Sequence, residues 1–222
     1  MGQLFLVRHG QASLDKDDYD QLSVLGAQQS RRLGEHWREL DLQFDAVACG
    51  TLLRHRQTLA GIAEGLQHTL DGAHNSGLNE YDAEAVIRSI HPEPRPRPTD
   101  PEAYRQHFRL LREGLLRWTT GSVQPEGMPA WSDFLEGTRS ALEQVRRMQA
   151  ESALVVSSGG AISFFLGHLL GMSPEASIEL NLQMRNTAIC ELRTSAKGFR
   201  VVSFNTLPHL ARAAHAKWIS YA

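Results

Sequence analysis

Cysteine and lysine are both scarce in this chain of 222 residues. Cys49 and Cys190 are the only cysteines, and two thiols so far apart make neither a disulfide framework nor a zinc site. The ten histidines never fall at the His-x-x-x-His or His-Glu-x-x-His spacing of a helical metal site, so no metal and no cofactor is expected. Lysine occurs only as Lys16, Lys197 and Lys217. The remaining basic residues are arginines, a bias that base composition alone explains, although arginine also suits bidentate grip on phosphate. A net charge of −2 lacks the basic excess of a nucleic-acid or membrane-surface binder. No apolar run is long enough to cross a bilayer. Met1-Gly2-Gln3 leads straight into an apolar stretch, without the basic start and cleavage signal of a secretory peptide. The expectation is a cytoplasmic protein whose partners include neither nucleic acid nor membrane.

What is present is a 41% share of apolar residues, enough for a sizeable core. Leu4 to Val7 is a short continuous apolar run that stops at polar residues and Gly10, the pattern of a buried strand entering a loop. Ser23 then opens a helix with Leu25, Gln29, Leu33, Trp37 and Leu40 on one stripe. Phe44 to Cys49 reads as a second strand, and Leu52 to Leu66 as a second helix. This alternation predicts an α/β fold with a mostly parallel sheet and crossover helices. His74 to Leu78 is a candidate third strand. The stretch 81–150 contains His91-Pro92-Glu93-Pro94-Arg95-Pro96-Arg97-Pro98, which is neither regular helix nor central strand. Two helices follow it, at about Asp100 to Trp118 and Trp131 to Ala150. We read 81–150 as a helical insertion or cap within a single domain spanning 1–222. Ala153 to Ser157 is the next buried strand, Gly159-Gly160 opens another helix, and Thr187 to Arg193 and Phe199 to Phe204 form two more strands about Lys197-Gly198.

Ligands of open α/β sheets bind beyond the carboxyl ends of the strands. Four such ends should converge here: Arg8-His9-Gly10; Cys49-Gly50-Thr51, with Arg54 in the next helical turn; Asn79-Glu80; and Ser157-Ser158-Gly159-Gly160. A positive charge in a first helical turn opposes the helix dipole, so Arg54 calls for an anionic partner. Two guanidinium groups, one imidazole, one carboxyl group and a Gly-rich turn suit phosphoryl transfer. Arginines neutralise the phosphoryl oxygens, a neutral imidazole can attack phosphorus, and a buried carboxyl group can protonate the leaving oxygen. Gly10 lets the loop approach the phosphate closely.

Five segments, in order, resemble the signature of the histidine phosphatase superfamily, the phosphoglycerate-mutase-like proteins. They are Leu6-Val7-Arg8-His9-Gly10-Gln11; Leu22-Ser23-Val24-Leu25-Gly26 with Gln29; Thr51-Leu52-Leu53-Arg54 with Gln57-Thr58; Leu78-Asn79-Glu80; and Val155-Val156-Ser157-Ser158-Gly159-Gly160. The resemblance implies a three-layer α/β/α fold and a metal-independent phosphatase acting on phosphomonoesters. It makes His9 the phosphorylated nucleophile and Glu80 the proton donor, with Arg8, Arg54, Gly10, Gln11, Ser158 and Gly159 around the phosphate. The partner would be a small phosphorylated substrate; the oligomeric state stays open, a homodimer included.

The pattern breaks at Ser158, where the family has a second histidine. Three outcomes follow: slow catalysis with Ser158 as hydrogen-bond donor, substitution by another histidine (His55, His168 or His209), or phosphate binding with weak or no turnover. His55 and Arg56 otherwise read as solvated neighbours of Arg54. The mutase branch carries a longer polar segment after its first motif. The stretch from Ala12 to Asp20 is acidic instead, which favours a phosphatase over a phosphoglycerate mutase. Arg95 and Arg97 read as an exposed rigid loop, with a lid over an anionic substrate as the alternative. The apolar tail residues Leu207, Leu210, Trp218, Ile219 and Tyr221 should dock on the chain itself or on a partner.

Overall fold

The computed structural model describes residues 2–13, 20–96 and 98–221. Six strands form one sheet: β1 (Gly2–Arg8), β2 (Ala46–Cys49), β3 (Ala73–His74), β4 (Ser152–Ser157), β5 (Ile189–Ser195) and β6 (Gly198–Thr206). Their order across the sheet is β3-β2-β4-β1-β5-β6. The first four are mutually parallel, while β5 and β6 run antiparallel at one edge. The mostly parallel sheet expected from the sequence is therefore present, closed on one side by the two tail strands.

Strand periodicity assigns each side chain to a layer. Leu4 and Leu6 of β1, Ala46 and Ala48 of β2, and Ala153 and Val155 of β4 share one apolar cluster. It is covered by Ala141, Leu142 and Val145 of α5 (Trp131–Arg147) and by Ile162, Phe165 and Leu166 of α6 (Gly159–Leu169). The intervening residues Val7, Val47, Cys49, Leu154 and Val156 point the other way. They meet Leu33 and Trp37 of α1 (Val24–Glu39) and Leu59, Ile62 and Leu66 of α2 (Leu53–Leu66). The result is a three-layer α/β/α sandwich. Ser23 caps α1 as its sequence suggests, accepting from the Gly26 amide at 3.0 Å.

Within 81–150, α5 belongs to the layer beneath the sheet. The short α3 (Ala83–Arg88) and α4 (Pro101–Thr119) build a separate cluster with Phe164 of α6 and Ile178 of α7 (Pro174–Gln183). Asp100 caps α4, accepting from Glu102 and Ala103 amides at 2.9 Å each, and Pro101 fills the first turn. Trp118 is fully buried in this cluster. Neither α3 nor α7 is anticipated by apolar periodicity, because each is short and shares its apolar face with several neighbours.

The third strand differs from its expected span of His74 to Leu78. Only Ala73–His74 pairs with β2, and Ser76–Leu78 is a 3-10 turn. The Asn75 side chain accepts from the Gly77 amide at 2.9 Å. That local bond offers the backbone an alternative to the ladder. In the tail, Leu207 and Leu210 are buried with Ala188, and Trp218 packs on them. Ile219 and Tyr221 stay exposed. Among the described residues no helix is long and apolar enough to cross a membrane.

Candidate active site

The parallel register brings the carboxyl ends of β1, β2 and β4 side by side. The His9 amide donates to the Ser157 carbonyl at 2.9 Å, and the Gly50 amide donates to the Val156 carbonyl at 3.0 Å. Glu80 follows the 3-10 turn after β3, and Ser157 Oγ donates to the Leu78 carbonyl at 2.7 Å, tying that turn to β4. The four expected strand ends thus meet at one edge of the sheet.

His9 is buried, and its Nδ1 lies 2.7 Å from the Gly10 carbonyl. A carbonyl only accepts, so Nδ1 carries the proton and Nε2 keeps its lone pair. Arg54 Nε donates to that Nε2 at 3.2 Å. Burial, then the charges of Arg8 and Arg54, hold the His9 pKa well below the ordinary histidine value. The ring is therefore a neutral imidazole at pH 7, the form a nucleophile requires. Arg8 is also buried, and its Nη1 donates to the Met184 carbonyl. Arg54, in the first turn of α2, makes an ion pair with Asp20 at 2.7 Å. Asp20 also accepts from the Leu53 amide at 2.8 Å, so one carboxylate balances both the helix N-terminus and the guanidinium.

Glu80 accepts from the Gly160 amide with both carboxyl oxygens, each at 3.1 Å. Burial pushes its pKa up, against the opposing pull of that amide and of the two arginines. The charges of Arg8 and Arg54 act on both groups, so a carboxyl group with a raised pKa and a neutral imidazole share the same two cations. Gly160 has to be glycine for this arrangement, because a Cβ there would lie 2.2 Å from Glu80 Oε1. The next residue, Tyr81, is fixed by Asn181 Nδ2, which donates to its hydroxyl at 2.8 Å. Trp118, Phe134 and Phe164 surround its ring.

Ser158 sits at the N-terminus of α6, fully buried, and its Oγ lies 2.7 Å from His55 Nε2. His55 is fully buried as well, and its ring centroid is 5.6 Å from that of His9. The expectation that His55 is solvated is wrong: the phase of α2 turns it inward, while Arg56 alone faces out. Of the other two histidines considered, His168 is exposed. His209 is buried against Thr187 Oγ1 at 3.0 Å, and the Thr187 amide in turn donates to the His9 carbonyl. His209 thus supports the His9 loop from behind rather than joining the cluster around His9.

The family model described as the histidine phosphatase superfamily (branch 1) matches residues 4–207. The chain belongs to the histidine phosphatase superfamily. No curated protein matches it in sequence. Solved structures share the fold of this superfamily member at low identity. A phosphoserine phosphatase from Entamoeba histolytica, in complex with 3-phosphoglyceric acid, is 19% identical with a TM-score of 0.65, covering 95% of this chain and 100% of its own. An alpha-ribazole phosphatase from Shigella flexneri is 17% identical with a TM-score of 0.63, covering 92% and 96%. A mycobacterial glucosyl-3-phosphoglycerate phosphatase is 18% identical with a TM-score of 0.64, covering 93% and 99%.

Residues that the sequence motifs include also make scaffold contacts that the motifs do not reveal. Thr58 Oγ1 accepts from the Gly10 amide at 3.0 Å and donates to the Arg54 carbonyl at 2.7 Å, joining the His9 loop to α2. Gly10 packs so tightly on α1 that a Cβ would lie 2.5 Å from the Gly26 carbonyl oxygen. Gln11 is held by scaffold contacts: its amide donates to Gln29 Oε1 at 2.9 Å, and its Oε1 accepts from Ser23 Oγ at 2.8 Å. Gly159 borders Arg8, since a Cβ on it would be 3.4 Å from Arg8 Nε. Of the acidic stretch after the first motif, residues 14–19 lie outside the described residues, as does Arg97. Arg95 acts electrostatically on His107 of α4, along with Glu84 of α3. Among the described residues, no three His, Cys, Asp or Glu side chains gather as a metal site.

Proposed function

We propose that this protein is a metal-independent phosphomonoesterase that works through a phosphohistidine at His9. The observation that carries the reading is the state of the His9 ring. Its Nδ1 proton is committed to the Gly10 carbonyl at 2.7 Å, and its pKa is lowered. The Nε2 lone pair is left facing Arg54. When substrate enters, Arg54 and Arg8 turn their charge to the phosphoryl oxygens, and Nε2 attacks phosphorus. The phosphorus–oxygen bond to the alcohol breaks, and the leaving oxygen takes the proton of Glu80. The Glu80 carboxylate then accepts a proton from water as that water attacks the phosphohistidine, releasing inorganic phosphate and restoring both groups.

The substrate class is a small phosphomonoester, in keeping with the compounds named for the structural neighbours. Residues 81–150, above all α3 and α4 with the Pro-rich loop, are our proposed cap and the source of specificity. We place the protein in the cytoplasm and take hydrolysis, not mutase transfer, as its reaction. The test is hydrolysis of a generic aryl phosphate in the presence of a chelator, beside trapping of acid-labile phosphate on the protein. Both should vanish in His9→Ala, and activity retained in that variant would refute the reading. Ser158 motivates a second reading, phosphate binding with little turnover. That reading expects vanadate to bind while no phosphomonoester is hydrolysed.

A further inference from the structure

We propose that His55 and Ser158 form a hydrogen-bond relay at the phosphate site, in which the Ser158 hydroxyl donates to a phosphoryl oxygen and His55, behind it, fixes and polarises that hydroxyl. The proposal rests on the phosphomonoesterase reading for where the phosphoryl group lies. Its direction comes from the two side chains themselves.

His55 Nδ1 is buried and has no hydrogen-bond partner among the described residues. It is packed against the backbone of Gly50, where a Cβ would lie only 2.0 Å away, leaving no room for water on that side. A proton on Nδ1 would be a buried donor without an acceptor, which costs more than leaving a ring nitrogen lone pair unpaired. The proton therefore resides on Nε2, and Nε2–H donates to Ser158 Oγ across the 2.7 Å contact. Burial and the neighbouring Arg54 charge push the His55 pKa down to about 3, so the ring is neutral and holds this single ring proton.

Ser158 is then left with its own O–H to give. Serine at a helix N-cap usually bonds the helix's first amides, but Ser158 makes no such bond to α6. Among the described residues its hydroxyl meets only His55, and both side chains are fully buried. The hydroxyl lies among the groups assigned to the anion. Gly159, the next residue, borders Arg8, and the His55 ring adjoins that of His9 at 5.6 Å. A hydroxyl that already accepts a hydrogen bond is a better donor, because chains of hydrogen bonds polarise one another. Ser158 is thus the residue that touches the phosphoryl group, and His55 is a positioning residue acting through it.

The experiment compares wild type with Ser158→Ala, His55→Ala, His55→Gln and the His55→Ala/Ser158→Ala double variant. The readouts are orthovanadate affinity and kcat and KM for an aryl phosphate. Ser158→Ala should lower kcat by about 10²-fold, as loss of one oxyanion donor does, with a smaller change in KM. His55→Ala should lower kcat in the same sense, and its effect should disappear in the Ser158→Ala background, because the relay acts as a unit. His55→Gln restores an N–H at the Nε2 position and should recover most of the loss. Additive losses in the double variant, or unchanged vanadate affinity and kcat in His55→Ala, would overturn the relay. Should His55→Ala not fold, His55→Phe, which keeps the ring but carries no N–H, takes its place: it should lose kcat as Ser158→Ala does, and a wild-type kcat in it would overturn the relay. Vanadate affinity is read without turnover. An inactive wild type therefore defeats the phosphatase reading alone, and the coupling of His55 to Ser158 in vanadate binding still judges the relay.

Discussion

Gly160→Ala is the most direct probe of how Glu80 is held. A Cβ at position 160 would lie 2.2 Å from Glu80 Oε1 and 2.4 Å from Tyr81 Cε1, whereas real Cβ contacts stay above 3.0 Å. Glu80 must therefore retreat by about 0.8 Å to clear that limit. Tyr81 must give by about 0.6 Å as well, and because Asn181 and the surrounding aromatic rings hold it, the strain spreads into that cluster. Misplacing a reacting group by roughly 1 Å costs about 10²-fold in rate, within the ~10²–10⁴-fold that a general acid contributes. The overpacking itself should destabilise by about 1–3 kcal/mol, roughly 2–4 °C of Tm per kcal/mol for a chain of this length. The assay sets an alkyl phosphate, whose leaving oxygen needs a proton, against a nitrophenyl phosphate, whose leaving group departs without one. We expect kcat to fall about 10²-fold on the alkyl phosphate and much less on the nitrophenyl ester, with the fold retained by circular dichroism. An equal loss on both substrates would refute the assignment of Glu80 as proton donor. No loss on either would refute the geometry.

The lowered pKa of His9 and the raised pKa of Glu80 set the pH profile. Attack needs His9 unprotonated and leaving-group departure needs Glu80 protonated, so kcat/KM should stay high well below pH 6.5 and fall as pH rises through the Glu80 pKa. An acid limb at 6.5 or above would contradict this. Stability should move the other way in acid. His9, His55 and His209 all have lowered pKa values, the last two near 3. The unfolded chain therefore takes up protons below about pH 6.5 that the folded chain refuses, and stability falls as pH drops toward 3. His36 and His107 are lowered as well and add to this slope, while Glu80 opposes it with one proton. Urea midpoints measured from pH 7 to 4 should decline, and His209→Gln should flatten the curve by about 1.4 kcal/mol per pH unit. Thr58→Val leaves the Gly10 amide without its 3.0 Å acceptor. A loss of about 1–3 kcal/mol with reduced kcat is expected by thermal unfolding and turnover, and a variant matching wild type in both would exclude the strut. Asn186→Ala removes the side-chain bond to the His9 carbonyl at 3.3 Å and the contact to Ser220 Oγ at 3.0 Å. It should lower kcat more than it raises KM, and a pure KM effect would argue against a role in fixing the nucleophile loop.

Local pattern by itself pointed to an α/β fold with a mostly parallel sheet and to polar strand ends that converge, while the three-layer arrangement was implied by the family resemblance. The two-residue alternation along β1, β2 and β4 assigns Leu6, Ala48 and Val155 to one layer and Val7, Val47 and Val156 to the other. The polar residues that end those strands are consequently the proposed site. This was legible because strand direction and burial period are short-range properties, and a parallel sheet aligns the ends. Arg8, His9, Arg54 and Glu80 all follow from that rule. Tertiary structure decided what short range cannot. The candidate strand His74 to Leu78 yielded to the Asn75 turn, since two ladder pairs compete with a ready local bond. Asp20 sits in an acidic stretch whose composition suggests only repulsion of anions, yet it neutralises Arg54 from 34 residues away. His55 follows Arg54 directly in sequence, and nothing there distinguishes it from the exposed Arg56. Its role as a buried partner depends on the helix phase, on the missing side chain of Gly50 and on a serine 103 residues away. A single sequence shows Ser158 as a lost histidine, and the fold sets another imidazole against its hydroxyl.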